Sequence, residues 1–81
     1  MAATIQWSAE FTDTFAGIAN YGWVRRETFT LPSTATDRQI VTAAKAALGL
    51  TGSRCRRFSY SDGFELRPIG SLTVAFIIPA H

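Results

Sequence analysis

Hydrophobic and polar residues alternate strictly over Thr4–Thr12, the first patterned stretch of the chain. Apolar side chains occupy every second position, at Ile5, Trp7, Ala9 and Phe11. This period of two predicts a strand with one buried face. Residues 13–20 contain a glycine and an asparagine, which favour a turn or wide loop. From this loop we expect Phe15 and Ile18 to fold back onto the core.

A second strand is predicted over Tyr21–Leu31, but its apolar face is interrupted. Arg25 and Glu27 stand where the alternation calls for apolar residues. A β-bulge near Arg25-Arg26 would explain the interruption. Pro32 ends the strand, because proline has no N–H to donate to a neighbouring strand.

The helix that follows has the clearest local pattern in the chain. Thr36 and Gln39 are spaced as a capping box, in which each side chain bonds the backbone N–H of the other residue. Gly49 is the expected C-terminal stop. Apolar residues recur on one stripe at helical spacing, at Ile40, Val41, Ala44, Ala47 and Leu48. Since the stripe includes two alanines, we expect the helix to approach a sheet closely.

Three further strands are predicted after the helix, over Arg54–Tyr60, Phe64–Arg67 and Leu72–Ile78. Asp62-Gly63 predicts a tight hairpin between the first two, because both turn positions favour positive φ. The last strand is apolar on both faces, which is typical of a strand in the middle of its sheet.

The fold class is therefore α+β, in one small domain over residues 1–81 with the order β-β-α-β-β-β. The sheet is expected to be mixed or antiparallel, with one helix on one face. Placing the first and last strands side by side gives a β-grasp-like arrangement, whose crossover would run through the helix. An antiparallel meander with a helix packed on it is the alternative.

One helix cannot cover both faces of this sheet, so one face stays open. We expect Ala75 and Ile77 of the last strand on the open face, with Trp23 or Tyr60. Exposed apolar surface of this kind often marks a partner or a homodimer contact. Shielding by the loop at residues 15–20 is the alternative.

Composition removes several function classes. One cysteine (Cys55) and one histidine (His81) leave no disulfide framework and no His/Cys metal cluster, and no cofactor is expected. The six carboxylates do not converge in the predicted order of elements, so no enzyme is expected. The N-terminus does not resemble a signal peptide, and no apolar run is long enough to span a bilayer. We expect a cytoplasmic protein with no membrane contact.

Charge adds one local feature. The net charge of +2 is too small to indicate nucleic-acid binding by itself. Seven of the eight basic residues are arginines, which are favoured at interfaces. A GC-rich genome, which favours arginine codons, is the plainer explanation. The candidate contact residues are Arg54, Arg56, Arg57, Phe58 and Tyr60 on the third predicted strand, Arg67 on the fourth, and Trp23, Arg25 and Arg26 on the second.

Three interpretations of the arginine-rich third strand stay open. Charge can protect a sheet edge from unwanted pairing. An arginine patch can also contact an acidic protein partner. Arginines beside strand aromatics can instead hold nucleic-acid phosphates and stack bases.

In size and style the chain resembles small phage-encoded accessory proteins, a group that includes anti-CRISPR proteins. The resemblance implies a non-catalytic inhibitor that binds a host protein or ribonucleoprotein effector complex in the bacterial cytoplasm. Because the chain is not acidic, it would block a protein surface rather than imitate DNA. The alternatives are a small nucleic-acid-binding protein and a self-associating phage structural or assembly protein.

Overall fold

The computed structural model describes residues 3–80. Its elements follow the predicted β-β-α-β-β-β order, and the α+β class is confirmed. The strands are β1 (Thr4–Phe15), β2 (Ile18–Pro32), β3 (Cys55–Tyr60), β4 (Gly63–Pro68) and β5 (Thr73–Pro79), and the helix α1 is Asp37–Ala47.

The five strands form one antiparallel sheet in the order β2-β1-β5-β4-β3. β5 is the middle strand, as its two apolar faces predict. β1 and β5 are neighbours, but they run antiparallel, so the β-grasp-like order is not confirmed. α1 connects β2 to β3, which are the two edges of the sheet.

The loop expected at residues 13–20 is mostly strand. β1 and β2 continue to a two-residue turn at Ala16-Gly17, where both residues have positive φ (54° and 80°). This is the turn geometry that matches the twist of a hairpin. Phe15 and Ile18 flank the turn with 76% and 71% of their surfaces exposed. The expectation that they fold back onto the core is therefore wrong.

Arg25 interrupts the apolar face of β2 for a reason other than a bulge. The register is regular at Arg25 and Arg26, and the irregularity lies opposite Thr12–Thr14, so the predicted bulge position is wrong. Two helix carbonyls accept hydrogen bonds from the Arg25 guanidinium at 3.3 Å, those of Ala47 and Leu48. Because the last carbonyls of a helix lack partners within it, a cation there stabilises the helix end.

The predicted helix cap is confirmed. The Thr36 hydroxyl accepts from the Gln39 backbone N–H at 3.2 Å, and the Gln39 side chain accepts from the Thr36 N–H at 2.9 Å. Three residues of the predicted stripe are buried against the sheet, namely Ile40, Ala44 and Leu48. The sheet side of this core consists of Trp7, Ala9, Phe64, Leu66, Ala75 and Ile77.

The side chains of β5 that face the helix are the ones expected on the open face. Ala75 and Ile77 have no exposed surface and belong to the core under α1, so their predicted place on the open face is wrong. Side chains alternate along a strand, so Phe76 and Ile78 face the other way. Both sets are apolar, and the pattern alone did not show which of them α1 covers.

The β3–β4 hairpin forms at the predicted place but with different geometry. Its turn is Ser61-Asp62, and Gly63 already pairs with Tyr60 in the sheet. Neither Asp62 nor Gly63 has a positive φ, so the predicted reason for the glycine is wrong. A Cβ at Gly63 would lie 2.1 Å from the Ile77 carbonyl oxygen. Glycine is needed there because β5 passes very close.

Candidate functional site

The face of the sheet opposite α1, called the open face below, is the candidate site. One row of paired residues crosses all five strands on this face. Its members, from the β2 edge to the β3 edge, are Arg26, Glu10, Phe76, Glu65 and Phe58. Phe76 at the centre of the row therefore lies between two glutamates, with Arg26 at one end of the row and Phe58 at the other.

Beside this row lies a shallow apolar groove. It has a volume of about 320 Å³ and is lined by Ser8, Glu10, Tyr21, Phe76 and Ile78. Ile78 keeps 49% of its surface exposed in the middle of the sheet. An exposed apolar centre with polar surroundings is typical of an interaction surface.

A tyrosine, a glutamate and an arginine meet on the β3 side of the groove. Glu65 accepts a hydrogen bond from the Tyr60 hydroxyl at 3.1 Å and a second one from Arg67 Nε. Arg67 also donates to the Gly17 carbonyl oxygen at 2.9 Å, which ties the β1–β2 turn to β4. Glu65 is only 8% exposed, so these two donors satisfy a carboxylate that would otherwise be costly to bury.

The same three residue types recur on the β2 side. Glu10 accepts from Arg26 Nε at 2.8 Å. Its carboxylate also lies beside Tyr21, and hydrogen bonding to it is the main reason that the pKa of Tyr21 is raised. The apolar centre thus lies between two Tyr-Glu-Arg clusters whose charges are internally matched.

Tyr21 reaches the groove because of the irregularity in the β1–β2 hairpin. Its φ is +57°, an uncommon conformation for a bulky residue. The neighbouring backbone is held by Asp13, whose carboxylate accepts from Asn20 Nδ2 and from the Gly22 N–H, both at 2.9 Å. The Asn20 hydrogen bond lowers the pKa of Asp13 most, and the Gly22 bond lowers it further. A strand irregularity here re-aims one side chain onto the open face.

The structure brings together part of the predicted contact set. Alternation along β3 places Arg56, Phe58 and Tyr60 on the open face, and Arg67 pairs directly with Arg56. Arg57 pairs with the core residue Leu66 and so faces the helix side.

The predicted residues of β2 lie away from this set. β2 and β3 are opposite edges of the sheet, so two separate arginine patches result. Arg25 serves the end of α1 on the helix side, whereas Arg26 faces the open side beside Glu10. Trp23 packs edge-on against Phe11, with ring centroids 5.3 Å apart.

Sequence reasoning missed five residues of the open face, namely Glu10, Tyr21, Glu65, Phe76 and Ile78. Their convergence depends on strand order and register, which local patterns do not encode. The only signal was the two-faced apolar pattern of β5.

The arginines differ in how their charge is matched. Arg25, Arg26 and Arg67 form ion pairs with Glu27, Glu10 and Glu65. Within residues 3–80, Arg54, Arg56 and Arg57 form none. The unmatched positive charge of the sheet therefore lies along β3.

In the part of the chain that the structure describes, no group of three His, Cys, Asp or Glu side chains is placed to hold a metal ion. Over the same residues, no helix has the length and apolar character needed to cross a membrane. Searches of protein-family models, curated proteins and solved structures find no match to this chain.

The two Tyr-Glu-Arg clusters can be tested by titration, since Tyr21 and Tyr60 are the only tyrosines. The Glu65 hydrogen bond, then burial and the negative charge of Glu65, raise the pKa of Tyr60 above its ordinary 10.0. We expect both tyrosines to ionise above that value in an absorbance titration. Glu65→Gln should bring Tyr60 back toward it, whereas Glu27→Gln should change neither tyrosine.

The sign of the stability effect follows from these raised values. Because the tyrosine pKa is raised in the folded state, the hydrogen bond contributes fully to the free energy of unfolding at every pH below the unfolded-state tyrosine pKa near 10. Its contribution is lost as the pH rises through the folded pKa. Tyrosines that ionise at the ordinary value in the native protein would contradict the described clusters.

Proposed function

We propose that this chain is a non-catalytic protein-binding module that docks its partner on the open face, next to the arginine-rich β3. One observation carries the proposal. The middle of the open face is apolar and accessible, at Phe76 and Ile78. On each side of it lie a tyrosine, an arginine and a glutamate, and the glutamate is already paired with that arginine. Tyrosine and arginine around an apolar centre are the residue types that dominate binding energy in protein interfaces.

The paired charges matter for the energetics of docking. Covering a charge that lacks a partner is strongly unfavourable. Glu10 and Glu65 keep their arginine partners when water is removed, so a partner can cover the face without stranding either carboxylate. Arg54 and Arg56 at the rim stay available for carboxylates of the partner.

The nucleic-acid alternative is less favoured by this arrangement. Among the candidate contact arginines of β3 and β4, Arg67 is engaged by Glu65 and the Gly17 carbonyl, and Arg57 faces the helix side. Binding a protein therefore accounts for more of the observed surface.

The inhibitor hypothesis names a class of partner and rests on the size and style of the chain alone. In that hypothesis the open face would cover a surface of a host defence complex. The same face would serve a second copy of the chain if the protein is an assembly component. Identifying the partner separates these two.

The test is capture of partners from lysate, with and without nuclease treatment, using wild-type protein and two matched variants. Ile78→Lys places a charge in the exposed centre of the open face. Ile5→Lys makes the same change on the helix side of β1, where Ile5 is 36% exposed. We expect Ile78→Lys to weaken capture more than tenfold, as for a central interface residue, and Ile5→Lys to retain it.

Circular dichroism and thermal unfolding should show both variants folded. Equal capture by wild type and Ile78→Lys would contradict docking on the open face. Recovery of nucleic acid alone, lost after nuclease treatment, would favour the nucleic-acid-binding alternative. A mass in light scattering that grows with concentration would favour self-assembly.

A further inference from the structure

The outer side of β3 carries unpaired backbone groups. Tyr60 and Gly63 flank a two-residue turn and so form a hydrogen-bonded pair. Alternation along β3 then directs the N–H and C=O groups of Arg56 and Phe58 toward β4 as well. The same alternation extends to Arg54, whose carbonyl oxygen accepts a hydrogen bond from the Ile69 N–H at 2.9 Å. The backbone groups of Cys55, Arg57 and Ser59 consequently face outward, where β3 has no neighbouring strand.

Positive charge flanks this edge on both sides of the sheet. Arg56 lies on the open side and Arg57 on the helix side, and both side chains are exposed. Neither forms an ion pair within the described residues, and the same holds for Arg54. A strand added here would have alternate side chains beside arginines on each face of the sheet.

The opposite edge of the sheet shows a contrast. On β2, Arg25 is paired with Glu27 and Arg26 with Glu10. Of the two edges, only β3 thus combines outward backbone groups with arginines that lack a carboxylate. Charge complementarity points to an acidic occupant for this edge and not for β2.

We propose that the β3 edge binds an extended acidic segment of a partner protein by strand addition. Main-chain hydrogen bonds to Cys55, Arg57 and Ser59 would hold the segment, and carboxylates on it would meet the three arginines. The inference rests on the proposed function, since it specifies how one segment of the partner is held.

Two other occupants fit the edge less well. Antiparallel pairing of β3 with β3 of a second copy would bring arginines close to arginines, and opposed like charges destabilise a strand pair. A nucleic-acid strand has no regular amide ladder to match outward N–H and C=O groups. Both are outcomes that the following experiments can reveal.

Short labelled peptides test strand addition directly by fluorescence anisotropy. The probes have six residues, the length of β3, with glutamate alternating with valine or threonine. We expect wild-type protein to bind them and to bind lysine-for-glutamate versions at least about tenfold more weakly. Methylating alternate backbone amides of the acidic peptide should also weaken binding about tenfold or more, because several hydrogen bonds are lost.

A proline substitution tests the same point from the protein side. Ser59→Pro removes an outward N–H while leaving the bonds to β4, a position where an edge strand tolerates proline. Thr28→Pro is the matched control on β2. The Ser33 N–H donates to the Ala3 carbonyl oxygen, so Ser33 faces β1 and, by alternation along the strand, the backbone N–H of Thr28 faces outward. We expect Ser59→Pro to lose peptide binding about tenfold and Thr28→Pro to keep it, with both variants folded by circular dichroism.

Several results would overturn the inference. No binding of any acidic peptide, or equal binding of methylated and unmethylated peptides, would leave β3 as a charge-protected edge. A dimer abolished by Ser59→Pro would assign the edge to a second copy. Oligonucleotides that outcompete the acidic peptide would assign it to nucleic acid.

The two proposals fail in different ways. Ile78→Lys should leave peptide binding unchanged while losing the captured partner. If Ser59→Pro loses the peptide but captures the partner as well as wild type does, the edge inference is wrong and docking on the open face stands. If Ile78→Lys still captures the partner, docking on the open face is wrong whatever the peptides do.

Discussion

Gly63→Ala is expected to lower the free energy of unfolding by about 3 kcal/mol, as forced overpacking inside a structure does. The usual effect of this substitution in a strand has the opposite sign, since alanine favours extended structure over glycine by about 0.5–1 kcal/mol. At Gly63 the added methyl group would lie 2.1 Å from the Ile77 carbonyl oxygen and 3.0 Å from Ile78 Cγ2. β4 would have to move away from β5, which is the middle of the sheet. Urea unfolding followed by circular dichroism measures the change.

Gly70→Ala is the control for this substitution. Gly70 has a φ of 81°, and no atom lies within 4 Å of the position that a Cβ would take, so only backbone strain of about 1 kcal/mol is expected. A loss at Gly63 no larger than that at Gly70 would contradict the close approach of β4 and β5.

Ala44→Leu is expected to cost about 2–3 kcal/mol of unfolding free energy, because it overpacks the contact between α1 and the sheet. Ala44 has no exposed surface and lies in one core cluster with Ala9 and Ala75. Three alanines at this contact let the helix lie close to the sheet and leave no room for a larger side chain. Leucine and alanine have similar helix propensities, so the loss would report packing.

Ala46→Leu makes the same change on the exposed side of α1. A surface substitution of this kind should change stability by no more than about 0.5 kcal/mol. If Ala44→Leu were as well tolerated as Ala46→Leu, a void would have to exist under the helix, and the described packing would be wrong.

Local chemistry in the sequence predicts most of the elements. The alternation around Trp7 defines β1, and the Thr36–Gln39 pair fixes the start of α1 through reciprocal hydrogen bonds. The apolar pattern of β5 predicts its central position, because apolar residues on both faces are typical of a strand in the middle of its sheet.

The failed predictions have long-range causes. Arg25 looks like a break in β2, but it bonds the end of a helix more than twenty positions along the chain. Gly63 looks like a turn residue, but it is required by the distance to Ile77. Tyr21 looks like an ordinary strand residue, but an irregularity held by Asp13 turns it onto the open face. None of these contacts leaves a mark in the neighbouring sequence.

Part of the candidate site is likewise predictable from the sequence, and part of it depends on long-range contacts. The arginines and aromatics of β3 stand next to each other in the chain, so their clustering is predictable. Glu10, Glu65 and Phe76 come from three strands and meet only because β5 lies between β1 and β4. The neighbouring residues of β3 could therefore be grouped from the sequence, whereas only the register revealed the centre of the candidate site.

Site-specific photocrosslinking would show which face of the sheet the partner touches. A photoreactive phenylalanine analogue is placed at Ile78 on the open face and, separately, at Thr42 on the exposed side of α1. Docking on the open face requires a protein crosslink from Ile78 that survives nuclease treatment, and none from Thr42. Crosslinks from Thr42 alone, or crosslinks from Ile78 only to nucleic acid, would contradict it.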